Sequence, residues 1–258
     1  MNPWALNQAI DRLIAAGCYG EAFALADRFA AEGPRDTASE LLVQINLAEA
    51  EYNVGRWGAA WDRMRGLDPL AAAFPVARAG LAQQRAWIAA HTGRPDEAVH
   101  HWLRADLRDL PRHYHAEHYF TGTVALLGRG DREAAHRCAV SGDAAAFRPS
   151  SKRNALFIRA RVAAAMNDWL LAESLCRAAA RHPYLAQGGD GLLLWGNLLA
   201  RLERPAEARQ AYALALERDG ESESARLAAT QLQHLDDRGS SDPAGAHVDP
   251  VDDPWSPG

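Results

Sequence analysis

The sequence predicts an all-helical solenoid, built from paired helices. Six alanines, Ala22, Ala60, Ala98, Ala134, Ala172 and Ala208, recur at intervals of 38, 38, 36, 38 and 36 residues, and self-similarity at such a period marks a helical repeat array. Apolar residues step at helical spacing, as Leu41, Ile45, Ala48 and Tyr52 do, which places them on one helix face. No stretch alternates with period two, so no sheet is expected. Each alanine sits at the start of a second helix, after a turn, in blocks such as Gly55-Arg56-Trp57-Gly58-Ala59-Ala60, Gly93-Arg94-Pro95-Asp96-Glu97-Ala98 and Glu203-Arg204-Pro205-Ala206-Glu207-Ala208. A methyl group is what fits where two helices cross closely. The chain is then a stack of helix pairs that presents one long surface.

The elements follow from the periodic runs and from the breakers between them. A first pair over residues 3–16 and 20–32 ends at Gly33-Pro34, and a second over 37–54 and 57–66 ends at Asp68-Pro69. Pairs over 75–91 with 95–109 and over 114–128 with 131–140 stop at Pro111 and Pro149. A fifth over 151–166 and 168–181 closes at Pro183 and Gly188-Gly189, before a sixth over 190–203 and 205–218. The repeat units are thus 3–36, 37–74, 75–112, 113–150, 151–188 and 189–220, in one repeat domain spanning 1–235. A last helix over 222–235 is expected to cap the array with Leu227, Leu232 and Leu235, because an uncovered repeat face is apolar.

Residues 236–258 form a proline-, glycine- and aspartate-rich acidic tail that cannot bury enough apolar surface to offset ordering, and disorder is expected there. Trp255 within it is a candidate docking residue, for another protein or for the array's own groove. The whole chain carries 28 basic and 33 acidic residues, a net charge of −5. Asp236, Asp237, Asp242, Asp249, Asp252 and Asp253 against Arg238 account for that imbalance, which leaves residues 1–235 close to neutral. A neutral array has no electrostatic footprint for nucleic acid or for an anionic membrane. Arginine supplies all the basic residues except Lys152, which reads as high-GC coding and not as phosphate recognition.

The longest strongly apolar uncharged stretch, residues 191–200, is about half of what spans a bilayer, so no membrane insertion is expected. Residues 1–8 have neither a basic region nor an apolar core, so no secretory signal is expected. Three cysteines argue against a disulfide framework, and a reducing cytoplasm is the expected setting. Cys138 and Cys176 each follow a repeat alanine by four residues, where they act as small buried hydrophobes.

On these residues the chain resembles the tetratricopeptide-repeat family, whose 34-residue helix hairpin has small residues at its eighth and twentieth positions, a large apolar one at the twenty-fourth and a small one near the twenty-seventh. The match is best in the sixth unit, where Trp195-Gly196, Ala208, Tyr212 and Ala215 fall on the pattern. Counted back from each alanine, the eighth position holds Ala48, Ala86, Gly122, Ala160 and Gly196 in units two to six, with Ile10 departing in unit one. The twenty-fourth holds Ala26, Met64, Trp102, Cys138, Cys176 and Tyr212. The resemblance covers residues 3–219. The longer spacing implies longer helices or linkers and an altered superhelical pitch. Sel1-like repeats share the period but have a glycine-rich turn that is absent here, and pentatricopeptide arrays, which read RNA, use a basic surface that this chain lacks.

The resemblance implies a right-handed superhelix whose first helices line a concave groove, with the fifth, ninth and twelfth or thirteenth positions facing a ligand. Carried over, these are Asn7 and Asp11 in unit one, Ile45, Glu49 and Tyr52 in unit two, and Gln83, Trp87 and His91 in unit three. They continue as Tyr119 and Thr123, as Phe157 and Arg161, and as Leu193, Asn197 and Arg201. Aromatic anchors among amide and charged neighbours make a peptide-binding composition, with Arg161 and Arg201 suited to an acidic or C-terminal partner segment. Phe157, Leu193 and Ile45 also have a reading as plain packing. Asn197 with Arg161 and Arg201 is similar to the carboxylate clamp of some family members, but the lysines and asparagines of that clamp are not matched.

Sites for chemistry are sparse. His100, His101, His113, His115 and His118 cluster in the sequence, and His115 with His118 lie one turn apart on a helix, a spacing that can share a metal. No His-Glu-x-x-His signature or cysteine pair accompanies them, and solvent-exposed or capping roles are the expectation. Buried cysteines are inert nucleophiles, and no glycine-rich phosphate loop follows a strand. No catalytic residue, cofactor or metal is expected. The functional expectation is a cytoplasmic adaptor or scaffold that binds a segment of another protein. The alternative is a regulatory peptide sensor, or a secretion or assembly chaperone, using the same groove.

Overall fold

The computed structural model describes residues 3–30, 37–182, 189–218 and 220–241. Among them the chain is all α-helical, with fourteen helices, one 3-10 turn and no strand. The helices are α1 (Pro3–Ala15), α2 (Tyr19–Ala30), α3 (Thr37–Asn53), α4 (Trp57–Gly66), α5 (Asp68–Ala71), α6 (Pro75–His91) and α7 (Pro95–Arg104). After the 3-10 turn Arg112–Tyr114 come α8 (His115–Gly128), α9 (Arg132–Ala145), α10 (Pro149–Ala165), α11 (Trp169–Ala180), α12 (Gly189–Arg201), α13 (Pro205–Arg218) and α14 (Glu223–Ser241). Six hairpins result, α1–α2, α3–α4, α6–α7, α8–α9, α10–α11 and α12–α13, and their first helices stack in the order α1, α3, α6, α8, α10, α12. The core is strung along the stack as a chain of clusters, most of them shared between hairpins, as expected of a solenoid in which each unit is buried by its neighbours.

One turn is repeated six times. Gly17, Gly55, Gly93, Gly130, Asn167 and Glu203 all adopt left-handed φ, from 57° to 82°. In every case the next residue's N–H donates back to a carbonyl five residues earlier, as Arg56 does to Glu51 (2.8 Å) and Asp131 to Leu126 (2.9 Å). This is the helix-ending motif in which a left-handed residue lets the last turn satisfy its free carbonyls. Five residues after each left-handed position stands a fully buried alanine, the fourth residue of the second helix: Ala22, Ala60, Ala98, Ala135, Ala172 and Ala208, all at 0 % exposure.

Unit four therefore corrects the expected register by one residue. Ala135, not Ala134, is the closely packed position, and Ala134 is half-buried. Asp131 sets this register, because its carboxylate accepts from the Ala134 N–H as the first-turn cap, just as that of Asp168 accepts from Leu171 N–H in unit five. The position equivalent to Cys176 is then Ala139 and not Cys138. Both thiols are nonetheless buried, and burial raises Cys138 to about 11 and Cys176 above its ordinary value.

Boundaries differ elsewhere for local reasons. Helix α7 ends at Arg104, short of residue 109, because Ala105 turns to extended backbone (φ −80°, ψ 90°), and the Asp106 carboxylate then accepts from the Arg108 N–H and guanidinium. The extra short helix α5 and this connector hold residues beyond a compact hairpin. Helix α14 runs to Ser241, six residues into the stretch expected to be a disordered tail. The rest of that tail, residues 242–258 with Trp255, lies outside the described residues. Leu227, Leu232 and Leu235 of α14 pack on the cluster formed by Leu192, Tyr212 and Ala215. The start of α14 also reaches back to the turn of the second hairpin, where a Cβ on Gly55 would stand 2.7 Å from Glu223 Oε2. Among the described residues no helix is long and apolar enough to cross a membrane.

Candidate functional site

The stacked first helices enclose a cavity of about 420 Å³. Helix α3 contributes Glu49 and Tyr52, α6 contributes Gln83, Trp87 and His91, and α8 contributes Glu117, Phe120 and Thr121. On the far side stand Arg153, Phe157 and Arg161 of α10, with Asp190 and Leu193 of α12. The walls are completed by the α1–α2 turn at Gly17 and Tyr19, by Trp57, and by Arg218, Ser222 and Glu223 around the start of α14. Both ends of the array thus belong to one cavity.

Eight of the fifteen residues chosen from the repeat register line it: Glu49, Tyr52, Gln83, Trp87, His91, Phe157, Arg161 and Leu193. The others are placed differently. Asn7 Oδ1 accepts from Asn46 Nδ2 at 2.9 Å, across the α1–α3 contact. Ile45 packs against the cluster of Leu41, Ala48 and Met64. Tyr119 packs with Trp102 and Cys138 between hairpins, and Thr123 is buried with its hydroxyl donating to the Tyr119 carbonyl. Asn197 accepts from the Tyr212 hydroxyl at 2.8 Å, which ties α12 to α13. Arg201 is exposed, its guanidinium 4.1 Å above the Trp169 ring. The side chain of Asp11 lies outside the described residues.

The unit-four displacement has the same origin as the alanine correction. Moving the register by one turns the fifth position from Tyr119 to Phe120, and Phe120 does line the cavity. Glu117, Arg153 and Asp190 were missed for another reason. The cavity meets the C-terminal halves of α3 and α6 but the N-terminal halves of α8 and α12, and α10 from Arg153 through Arg161, so it crosses the stack obliquely. Arg153, a charge early in a helix with little amphipathic pattern, was the available sequence signal.

An aromatic cluster forms one wall. Trp87 and His91 lie 4.1 Å apart between ring centroids, and Tyr52 meets them edge-on at 6.3 and 5.5 Å. His91 Nδ1 sits 2.8 Å from the Trp87 carbonyl, so it carries the proton that it donates there. Burial, with the Arg161 charge adding to it, holds His91 near a pKa of about 3 and thus neutral. Burial likewise raises the Tyr52 hydroxyl well above its ordinary value, reinforced by Asp190 and opposed by Arg161. Arg153 is only 4 % exposed, with its guanidinium 2.8 Å from Asn154 Oδ1. Glu117 Oε1 accepts from Ser151 Oγ at 2.7 Å. Glu117 Oε2 and Gln83 Oε1 are screened from solvent and accept no hydrogen bond among the described residues.

The histidine cluster does not converge. His101 packs edge-on against Trp61 and against His100, which is exposed. His113 rests on Tyr114, and His115 Nε2 lies 3.1 Å from the Leu110 carbonyl. His118 is buried against Trp102, and burial lowers it to about 4. Among the described residues no three histidine, cysteine or acidic side chains are grouped to hold a metal. No protein-family model matches the chain, and no curated protein matches it significantly.

Proposed function

We propose that the chain is a cytoplasmic, non-catalytic binding protein of the tetratricopeptide-repeat type, which takes a short segment of a partner polypeptide into the central cavity. The observation that carries this reading is convergence: residues picked by one positional rule from four of the six units, the second, third, fifth and sixth, meet around one space. That space has the size of a ligand pocket, with aromatic and aliphatic walls among which charged and amide side chains are set. The anchors are Tyr52, Trp87 and Phe157, large rings of the kind that dominate recognition energies.

A second reading, a regulatory peptide sensor, is favoured by the meeting of Glu223 with Gly55. A groove whose two ends touch suits a short occupant better than a long one that must run out at both ends, and an occupant that spreads the contact changes the curvature.

Peptides selected from a random display library on the purified chain test the proposal. Trp87→Ala and Arg161→Ala should each weaken them about 30-fold, the scale of a true anchor, with helical content and melting temperature measured alongside. Peptides that bind both variants as tightly as the native chain overturn it.

A further inference from the structure

We propose that the central cavity recognises a protonated amine, held by Glu117 and Gln83 beside the Trp87 ring. This deepens the reading of the cavity as the binding site and rests on it. Three observations carry it.

Two hydrogen-bond acceptors at this wall have no partner among the described residues. Glu117 Oε2 and Gln83 Oε1 are shielded from water and receive no donor from the described residues. A buried acceptor left unsatisfied is costly, and such a group in a folded protein calls for an explanation. Both unmet groups want a donor, on neighbouring helices packed together, α6 and α8. Both residues line the cavity, and the terminal torsions of Glu and Gln are broad and soft, so either head group can rotate without moving the backbone.

The charge at this wall has the matching sign. Glu117 is a carboxylate whose hydrogen-bond donor, the Ser151 hydroxyl, is neutral. Over the cavity as a whole the charges balance, because Glu223 is paired with Arg226 and leaves Glu49, Glu117 and Asp190 against Arg153, Arg161 and Arg218. The aromatic wall completes the site, since an ammonium over the face of a tryptophan or tyrosine is attracted by the ring quadrupole. Trp87 and Tyr52 stand on the helices α6 and α3 that also carry Gln83 and Glu49.

Titration calorimetry of the full chain with two matched pairs of probes tests the proposal. One pair is phenethylamine and phenethyl alcohol, equal in body but differing in the amine. The other is the tripeptide Phe-Ala-Ala with a free and with an acetylated N-terminus. Each amine should bind at least tenfold more tightly than its uncharged twin. Glu117→Gln keeps an oxygen for the Ser151 hydroxyl and should erase that preference while leaving the melting temperature in place. Binding of phenethylamine as tight as that of the peptide supports a small free amine as occupant, and binding by the peptide alone supports a polypeptide N-terminus.

Equal binding within both pairs overturns amine recognition and leaves the cavity standing as a peptide site. Absence of heat with all four probes overturns it too, and the library peptides then judge the cavity separately. An amine preference that survives in Glu117→Gln overturns its placement at Glu117.

Discussion

Exchanging the two adjacent alanines of unit four for leucine separates the register of the structure from the one that sequence spacing suggests. Ala135 has no exposed surface and sits among Ala89, Ala98, Val99, Ala125 and Leu126, where α8 and α9 cross next to α7. Leucine there adds three carbons to a contact that holds one methyl group. Overpacking of this kind costs about 1–3 kcal/mol. Ala134 is half-buried on the edge of the same cluster, and leucine there has room to lie toward solvent, at a cost within about 0.5 kcal/mol. In a chain of this size 1 kcal/mol moves the melting temperature by about 2–4 °C. Ala135→Leu should therefore melt about 2–12 °C lower and Ala134→Leu within about 2 °C of the native chain. Repeat arrays melt in parts, so amide exchange across residues 115–145 should be measured beside the melt, and should accelerate only for Ala135→Leu. A larger loss at Ala134 than at Ala135 refutes the register.

Glu203 is a non-glycine residue held at φ 57°, a conformation costing about 1–2 kcal/mol, so Glu203→Gly should raise the melting temperature or leave it unchanged despite glycine's extra freedom when unfolded; a marked fall argues that the turn is not left-handed. His91 and His118, lowered by burial to about 3 and about 4, stay neutral in the fold at pH values where the unfolded chain binds their protons. Stability is then intact above about pH 6.5 and is lost as pH falls toward 4, each group contributing up to about 1.4 kcal/mol per pH unit in that window. Urea titrations from pH 7 to pH 4 should show this slope, and His91→Phe should flatten it; an unchanged slope contradicts the burial of a neutral imidazole.

The hairpins were legible because close helix crossings admit little besides a methyl group, and the same demand recurs in each unit. The error at Ala134 shows the limit of that signal. Glu133-Ala134-Ala135 offers two candidates, and composition cannot choose between them. The turn could have chosen, since Gly17, Gly55, Gly93 and Gly130 each stand five residues before the buried alanine. In the last two units that glycine is replaced by Asn167 and Glu203, which hides the motif just where it would have confirmed the count. The extension of α14 through Asp236 and Asp237 was concealed by composition. Part of what holds it is a tertiary contact, the Arg209 guanidinium on the Asp236 carboxylate at 3.0 Å and on the Leu235 carbonyl at 2.8 Å.

The inner face was legible only where the cavity happens to cross the helices at the positions a single unit would expect. Trp87 and His91 satisfy that condition at the end of α6, and Phe157 and Arg161 in the middle of α10, whereas Arg153 and Asp190 stand about a turn before the expected position. A template applied unit by unit assumes a groove perpendicular to the helices, while a superhelix carries its inner face from one end of the helices toward the other as rotation accumulates. The closing contact between Glu223 and Gly55 is the extreme case. It joins the turn of the second unit to the helix that follows the sixth through the sum of many small rotations, each set by connectors as unlike as α5 and the loop after α7. No local pattern encodes that sum. It also explains why the acceptors of Glu117 and Gln83 escaped notice: their lack of partners is a property of the space between helices and not of any helix alone.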